Sequence, residues 1–197
     1  MRAGLIYIHG NGGTAKEAEH YKKLFPACEV VGPDYRSRTP WAAEAEFCRF
    51  FDSFRAKHDR VALVANSIGA FFALHALRDR RIEKAWFISP IVDMERLILG
   101  MMQQAGVSEQ TLREKGTIET GFGEPLSWDY LSWVRAHPVS WFAPTRILYG
   151  ENDDLQSYET IRAFADRVGA ELTVMENGEH WFHTEEQMAF LDRWILK

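Results

Sequence analysis

Short apolar runs, each stopped by glycine, proline or polar residues, alternate along this chain with longer stretches whose apolar residues recur every three or four positions. Leu5-Ile6-Tyr7-Ile8 is too short for a helix and ends in His9-Gly10-Asn11-Gly12-Gly13-Thr14, so it reads as a buried strand. Comparable runs occupy 29–31, stopped by Gly32-Pro33-Asp34, then 60–65, 85–88 ending at Ser89-Pro90, 146–149 ending at Gly150, and 171–175. Helices are expected over 15–25, 41–57, 70–77, 155–168 and 185–196. In the second of these, Ala45, Phe47, Phe50, Phe51 and Phe54 supply the apolar positions, and Gly169 stops the fourth. Six strands alternating with helices imply right-handed crossovers and a mostly parallel sheet covered on both faces, an α/β three-layer sandwich.

One segment breaks the rhythm. Residues 93–144 separate the fourth strand from the fifth and are too many for an ordinary crossover. They include Leu97-Ile98-Leu99-Gly100-Met101-Met102, a glycine-rich stretch around Phe122, and a helical stretch from Trp128. A long insertion in a compact domain is usually a lid or a binding element; the plainer alternative is that one of its helices covers the sheet. Both are expected here, with 128–135 on the sheet and 97–123 leaning over a pocket. The chain is thus expected to be one domain, 1–197, with a lid insertion at 93–144.

Composition narrows the classes. At 197 residues and 46% hydrophobic, the chain suits one domain with a sizeable core. A formal charge of -5 without a long basic run argues against nucleic acid and against a polybasic membrane contact. No apolar run approaches the length of a membrane span, and no signal-like segment precedes the first strand. Cys28 and Cys48 lack metal-type or redox-type spacing. They read as reduced thiols of a cytoplasmic protein, a single disulfide being the alternative.

In parallel α/β sheets reactive groups collect at the carboxyl ends of the strands. The third strand ends in Ala65-Asn66-Ser67-Ile68-Gly69, with an apolar helix following. Strand, sharp turn with a central serine, then helix is the setting of a nucleophile elbow. Gly69 allows strand and helix to approach closely, and Ala65 stands where glycine is more usual. The alternative is a turn in which Ser67 only caps a helix. A serine hydroxyl also needs a base, and the base an orienting partner. The fifth strand ends in Gly150-Glu151-Asn152-Asp153-Asp154, and Asp153 is placed to reach back over the sheet. Its alternative job is a helix N-cap, a role expected of Asp154. The sixth strand ends in Asn177-Gly178-Glu179-His180-Trp181-Phe182-His183. His180 is the expected base; His183 is expected inside the first turn of the closing segment. The two histidines lack a third ligand near in sequence, so no metal is expected. An oxyanion would need two N–H donors. Ile68 would supply one and Asn11 the other, with Gly12 as the alternative. The loop 9–14 has neither Gly-x-Gly-x-x-Gly spacing nor a following Lys-Ser/Thr, which disfavours nucleotide binding.

With His-Gly-x-Gly-Gly at 9–13, the elbow at 65–69, Gly-x-x-Asp at 150–153 and Gly-x-His at 178–180, the chain resembles the α/β-hydrolase superfamily over nearly its whole length, in its small serine-hydrolase, esterase-like branch. The resemblance implies Ser67 as nucleophile, His180 as base and Asp153 as orienting acid. It also implies a lid after the strand ending at Ser89-Pro90, and a fold lacking the first two strands of the full family sheet. Some relatives take the acid from the preceding strand end, which makes Asp93 the runner-up. The implied activity is carboxylesterase-like hydrolysis of a small-molecule ester without a cofactor. A thioesterase, an amidase, or a non-catalytic binding protein on the same fold are the alternatives. Leu97, Met101, Met102, Phe122 and Trp181 are candidate pocket walls, with ordinary core packing as the competing role of each.

Overall fold

The computed structural model describes residues 2–197. Its main sheet has six strands: β1 (Ala3–Ile8), β2 (Cys28–Val31), β3 (Arg60–Asn66), β4 (Ala85–Ile88), then, after two short strands described below, β7 (Thr145–Gly150) and β8 (Glu171–Met175). The spatial order is β2-β1-β3-β4-β7-β8, and every neighbouring pair is parallel. β4 and β7 are buried along their whole length, and β1 from Gly4 onward. That is why Leu5–Ile8, Ala85–Ile88 and Ile147–Tyr149 are continuously apolar instead of alternating.

A 3-10 turn (Ala15–Glu17) leads into α1 (Ala18–Leu24), and α2 (Pro40–Arg55) and α3 (Ile68–Ala76) follow β2 and β3. The chain steps from β1 one way to β2 and then the other way across β3, β4, β7 and β8. With right-handed crossovers this reversal puts α1 on one face and α2 and α3 on the other. Ala18 and Tyr21 of α1 accordingly share a core cluster with Leu5, Tyr7 and Val64, and with Leu191, Trp194 and Ile195 of the closing helix. On the opposite face α2 turns Ala43, Phe47, Phe51 and Phe54 inward. Helix α3 is buried from Gly69 to Ala76, and its sequence is apolar nearly all round for that reason.

The chain divides into two compact units, one running up to Val92 and resuming at Ser140–Lys197, the other Asp93–Val139. The second holds α4 (Met94–Ala105), α5 (Glu109–Lys115), the two-residue strands β5 (Thr117–Ile118) and β6 (Leu126–Ser127), and α6 (Trp128–Ala136). β5 and β6 pair antiparallel. Arg135 makes two bonds to Glu109, at 2.7 and 2.8 Å, and one to Glu95 at 2.6 Å. The stretch 128–135 belongs to this second unit, where α6 packs on α4.

In the first unit, α7 (Tyr158–Val168) and α8 (Glu185–Ile195) complete the layers. α7 begins three residues later than expected, because Ser157 and not Asp154 is its N-cap, accepting from the Thr160 N–H. His183 lies outside the first turn of α8, which Thr184 opens with Gln187 in a capping box. Both cysteines are free thiols. Among the described residues no helix is long and apolar enough to cross a membrane.

Candidate active site

The carboxyl ends of β1 and β3 flank the point where strand order reverses, the usual ligand crevice of an open parallel sheet. Ser67 sits there with φ 51° and ψ -124°, a conformation that costs a non-glycine residue on the order of 1–3 kcal/mol. Three backbone bonds hold it: Ser67 N–H to the Ile88 carbonyl at 3.0 Å, and the Ser67 carbonyl accepting from Ala70 at 3.1 Å and Ile91 at 3.2 Å. Helix α3 starts at Ile68, and the Ser67 side chain does not cap it. A Cβ at Gly69 would lie 2.3 Å from the His9 carbonyl oxygen, so only glycine lets α3 start this close to β1. Ala65, the variant elbow position, is fully buried with its methyl accommodated.

Two further loops converge on the serine. A Cβ at Gly150 would fall 2.5 Å from the Glu179 carbonyl oxygen, so the loops after β7 and β8 touch backbone to backbone. They are laced by Glu151 N–H to Met175 O (3.0 Å), Asn152 N–H to Gly178 O (2.8 Å) and Asn177 N–H to a Glu151 carboxylate oxygen (2.9 Å). This brings His180 Nδ1 to 2.7 Å from Asp153 Oδ2, and His180 Nε2 to 2.8 Å from Ser67 Oγ. The Asp153 side chain is fully buried and that of His180 is 17% exposed. Asp153 Oδ1 meanwhile accepts the N–H groups of Leu155 (2.9 Å) and Gln156 (3.2 Å), so the carboxylate is fixed from both sides. The structure thus joins Ser67, His180 and Asp153 in one hydrogen-bonded chain. Asp93 instead caps α4, accepting from Arg96 N–H at 2.9 Å.

The loop after β1 passes directly beside the serine, since a Cβ at Gly10 would be 3.1 Å from Ser67 Cβ. His9 is buried, its ring stacked on Tyr35 at 4.2 Å, and the Tyr35 hydroxyl donates to the His9 carbonyl at 2.6 Å. Asn11 is exposed and Ile68 half-buried at the two sides of this crevice. Trp181 is 68% exposed and stacks on His183 at 4.4 Å. Leu97 and Met101 are half-buried on α4 and Met102 is buried, while Phe122 is partly exposed between β5 and β6; all four belong to the Asp93–Val139 unit. No group of His, Cys, Asp and Glu among the described residues is arranged to hold a metal.

Two supporting residues escaped the reading of the sequence. Gln156 is buried and accepts the Val92 N–H at 3.1 Å, while its own carbonyl accepts from the Tyr149 hydroxyl at 2.9 Å. Burial first, then the neighbouring Asp153 charge, pushes the Tyr149 phenol above its ordinary pKa, so it stays a donor. The one available signal was a glutamine just before a helix start, which is too common to single out.

A doubly covered parallel sheet with a strained serine turn after its third strand defines an α/β-hydrolase fold. The chain belongs to the alpha/beta hydrolase family, whose profile matches residues 5–193. A search of curated proteins finds no significant match. Among solved structures, a protein described as a hydrolase from Agrobacterium vitis S4 superposes with TM-score 0.78 at 16% identity, over 98% of this chain and 87% of its own. Alpha/beta hydrolase domain-containing protein 10 from mouse gives 0.72 at 16% identity, over 98% and 87%. Est1E from Butyrivibrio proteoclasticus gives 0.72 at 17% identity, over 100% and 90%, and its structure is also known with ferulic acid bound.

Proposed function

We propose that this hydrolase is a serine esterase in which Ser67 is the nucleophile, His180 the general base and acid, and Asp153 the orienting carboxylate. The observation that carries the reading is the unbroken chain Ser67 Oγ–His180 Nε2 at 2.8 Å and His180 Nδ1–Asp153 Oδ2 at 2.7 Å. Asp153 holds the tautomer in which Nδ1 bears the proton, leaving Nε2 to accept from the serine. Ser67 Oγ attacks the ester carbonyl as its proton passes to His180. The carbonyl oxygen takes up the negative charge and is met by the N–H groups of Ile68 and Asn11. The tetrahedral adduct collapses, His180 protonates the departing alkoxide, and an acyl group remains on Ser67. Water, deprotonated by His180, then attacks the acyl-enzyme and releases the acid.

The buried carboxylate supports the assignment of Asp153 over Asp93, which already serves a helix cap. An exposed Trp181 next to the base, together with a structural relative that binds ferulic acid, favours a small substrate with an apolar or aromatic acyl group. The test is labelling by a fluorophosphonate probe of the wild type, Ser67→Ala and His180→Ala, followed by a matched ester, thioester and amide panel. Labelling of the wild type alone, with esters turned over fastest, is expected. A folded wild type that does not label would overturn the reading in favour of a binding protein, and preferential thioester turnover would move the substrate class.

A further inference from the structure

Tyr7 and Glu17 take no part in the chemistry above, yet they tie the loop after β1 back to β1 itself, which pairs with β3, the strand leading to Ser67. Tyr7 lies on β1, is 2% exposed, and donates its hydroxyl to Glu17 Oε2 at 2.5 Å. The other oxygen of the same carboxylate accepts the Thr14 N–H at 2.7 Å. Thr14 closes the loop 9–14, in which Gly13 N–H also bonds the Gly10 carbonyl at 3.2 Å. A Cβ at Gly13 would lie 2.6 Å from Glu17 Oε1, so the loop backbone is pressed against the carboxylate. Tyr7 pairs in register with Val64 of β3, three residues before Ser67, and Gly10 of the same loop lies against Ser67. Burial, with Tyr21 next, holds the phenol far above its ordinary pKa and keeps it a neutral donor.

The result is one polar chain, Thr14 N–H, Glu17, Tyr7, that fastens the end of the loop to the strand beside the elbow. A Thr-Glu pairing at a helix start is common and would by itself be a capping box. The second oxygen of Glu17, engaged by a buried residue of β1, is not accounted for by capping. Oxyanion stabilisation depends on donors fixed to a fraction of an ångström. We propose that Glu17 and Tyr7 are positioning residues that set the loop 9–14, and hence its oxyanion N–H donor, relative to Ser67. This rests on the serine-esterase reading.

The experiment compares wild type, Tyr7→Phe, Glu17→Ala, Glu17→Gln and a core variant, Leu191→Ala, which lies in the same apolar cluster but outside the polar chain. Turnover of p-nitrophenyl acetate and inhibition by an aryl trifluoromethyl ketone, which forms a tetrahedral oxyanion adduct on serine, are measured beside Tm. Removing an oxyanion donor outright costs about 100- to 1,000-fold in kcat. Misplacing one is expected to lower kcat by about 10- to 100-fold in Tyr7→Phe and Glu17→Ala, with KM within about twofold and ketone affinity falling in parallel. Glu17→Gln, whose amide oxygen still accepts one bond, is expected to recover part of the loss. Leu191→Ala is expected to lower Tm and leave kcat at 25 °C unchanged. If the folded Tyr7→Phe and Glu17→Ala proteins match wild type in kcat, or lose it only in step with Tm as Leu191→Ala does, the positioning role is wrong while the esterase reading stands. A wild type inert to ester and ketone alike overturns both.

Discussion

In the proposed mechanism Asp153 serves structure and chemistry together. Its Oδ1 closes the turn after β7 by accepting two backbone N–H groups, and its Oδ2 is left for His180. An amide at this position keeps the turn if its oxygen takes the Oδ1 place, but then presents an NH2 group to His180 and favours the wrong tautomer. Asp153→Asn is therefore expected to retain near-wild-type Tm and to lose up to about four orders of magnitude in kcat. Asp93→Asn should change kcat little, because asparagine caps a helix about as well as aspartate. Ester turnover and thermal melts of the two variants, side by side, check the assignment. A fall in Asp93→Asn with Asp153→Asn intact would reverse it. Ser67, His180 and Asp153 were legible in the sequence because each stands at a strand end among glycines. Gln156, Tyr149, Tyr7 and Glu17 were not, since their importance lies in contacts with other loops, and such side chains are ordinary in any strand or helix start.

At the level of elements, close backbone approach does what side chains cannot. β1 meets α3 at Gly69, and the loops after β7 and β8 meet at Gly150, where any Cβ collides with backbone atoms that have no rotamer to escape into. Gly150→Ala is expected to cost about 1–3 kcal/mol of stability. It should also weaken ester turnover, because the loops bearing Asp153 and His180 must separate. Gly100, in the middle of α4 with open space around it, gives the opposite sign. Gly100→Ala should stabilise by about 0.5–1 kcal/mol through helix propensity and leave turnover alone. Urea midpoints of the two variants, read with their kcat values, distinguish them. The helix starts carry a related lesson. The apolar periodicity placed a helix near 155–168, but the start at Tyr158 depended on Ser157 winning the cap while Asp153 and Gln156 were drawn into the preceding turn.

Over the whole molecule, the sheet is deepest at its centre. β4 and β7 are wholly buried, whereas β8 at one edge leaves Glu171 and Val174 exposed. Amide exchange should therefore be slowest in β1, β3, β4 and β7 and faster in β8 and in β2 at the other edge. Uniform protection across all six strands would contradict this layering. The site is built on the best-buried strands, where reactive groups are held with least motion. Three of its loops leave β1, β3 and β7, and only the His180 loop hangs from an edge strand, tied down through Gly150 and Gly178.

The alternation of short apolar runs with amphipathic stretches was enough to establish a parallel α/β sheet of six strands, because burial on both faces leaves a signature in each strand separately. Family membership, and the strand ends carrying Ser67, Asp153 and His180, followed from local patterns of the same kind. The packing of α6 on α4, the short pairing of β5 with β6, and the Thr14–Glu17–Tyr7 link had no such signature. Each depends on which distant surfaces meet after the chain collapses. Periodicity reports that a face will be buried, and only the folded molecule states against what.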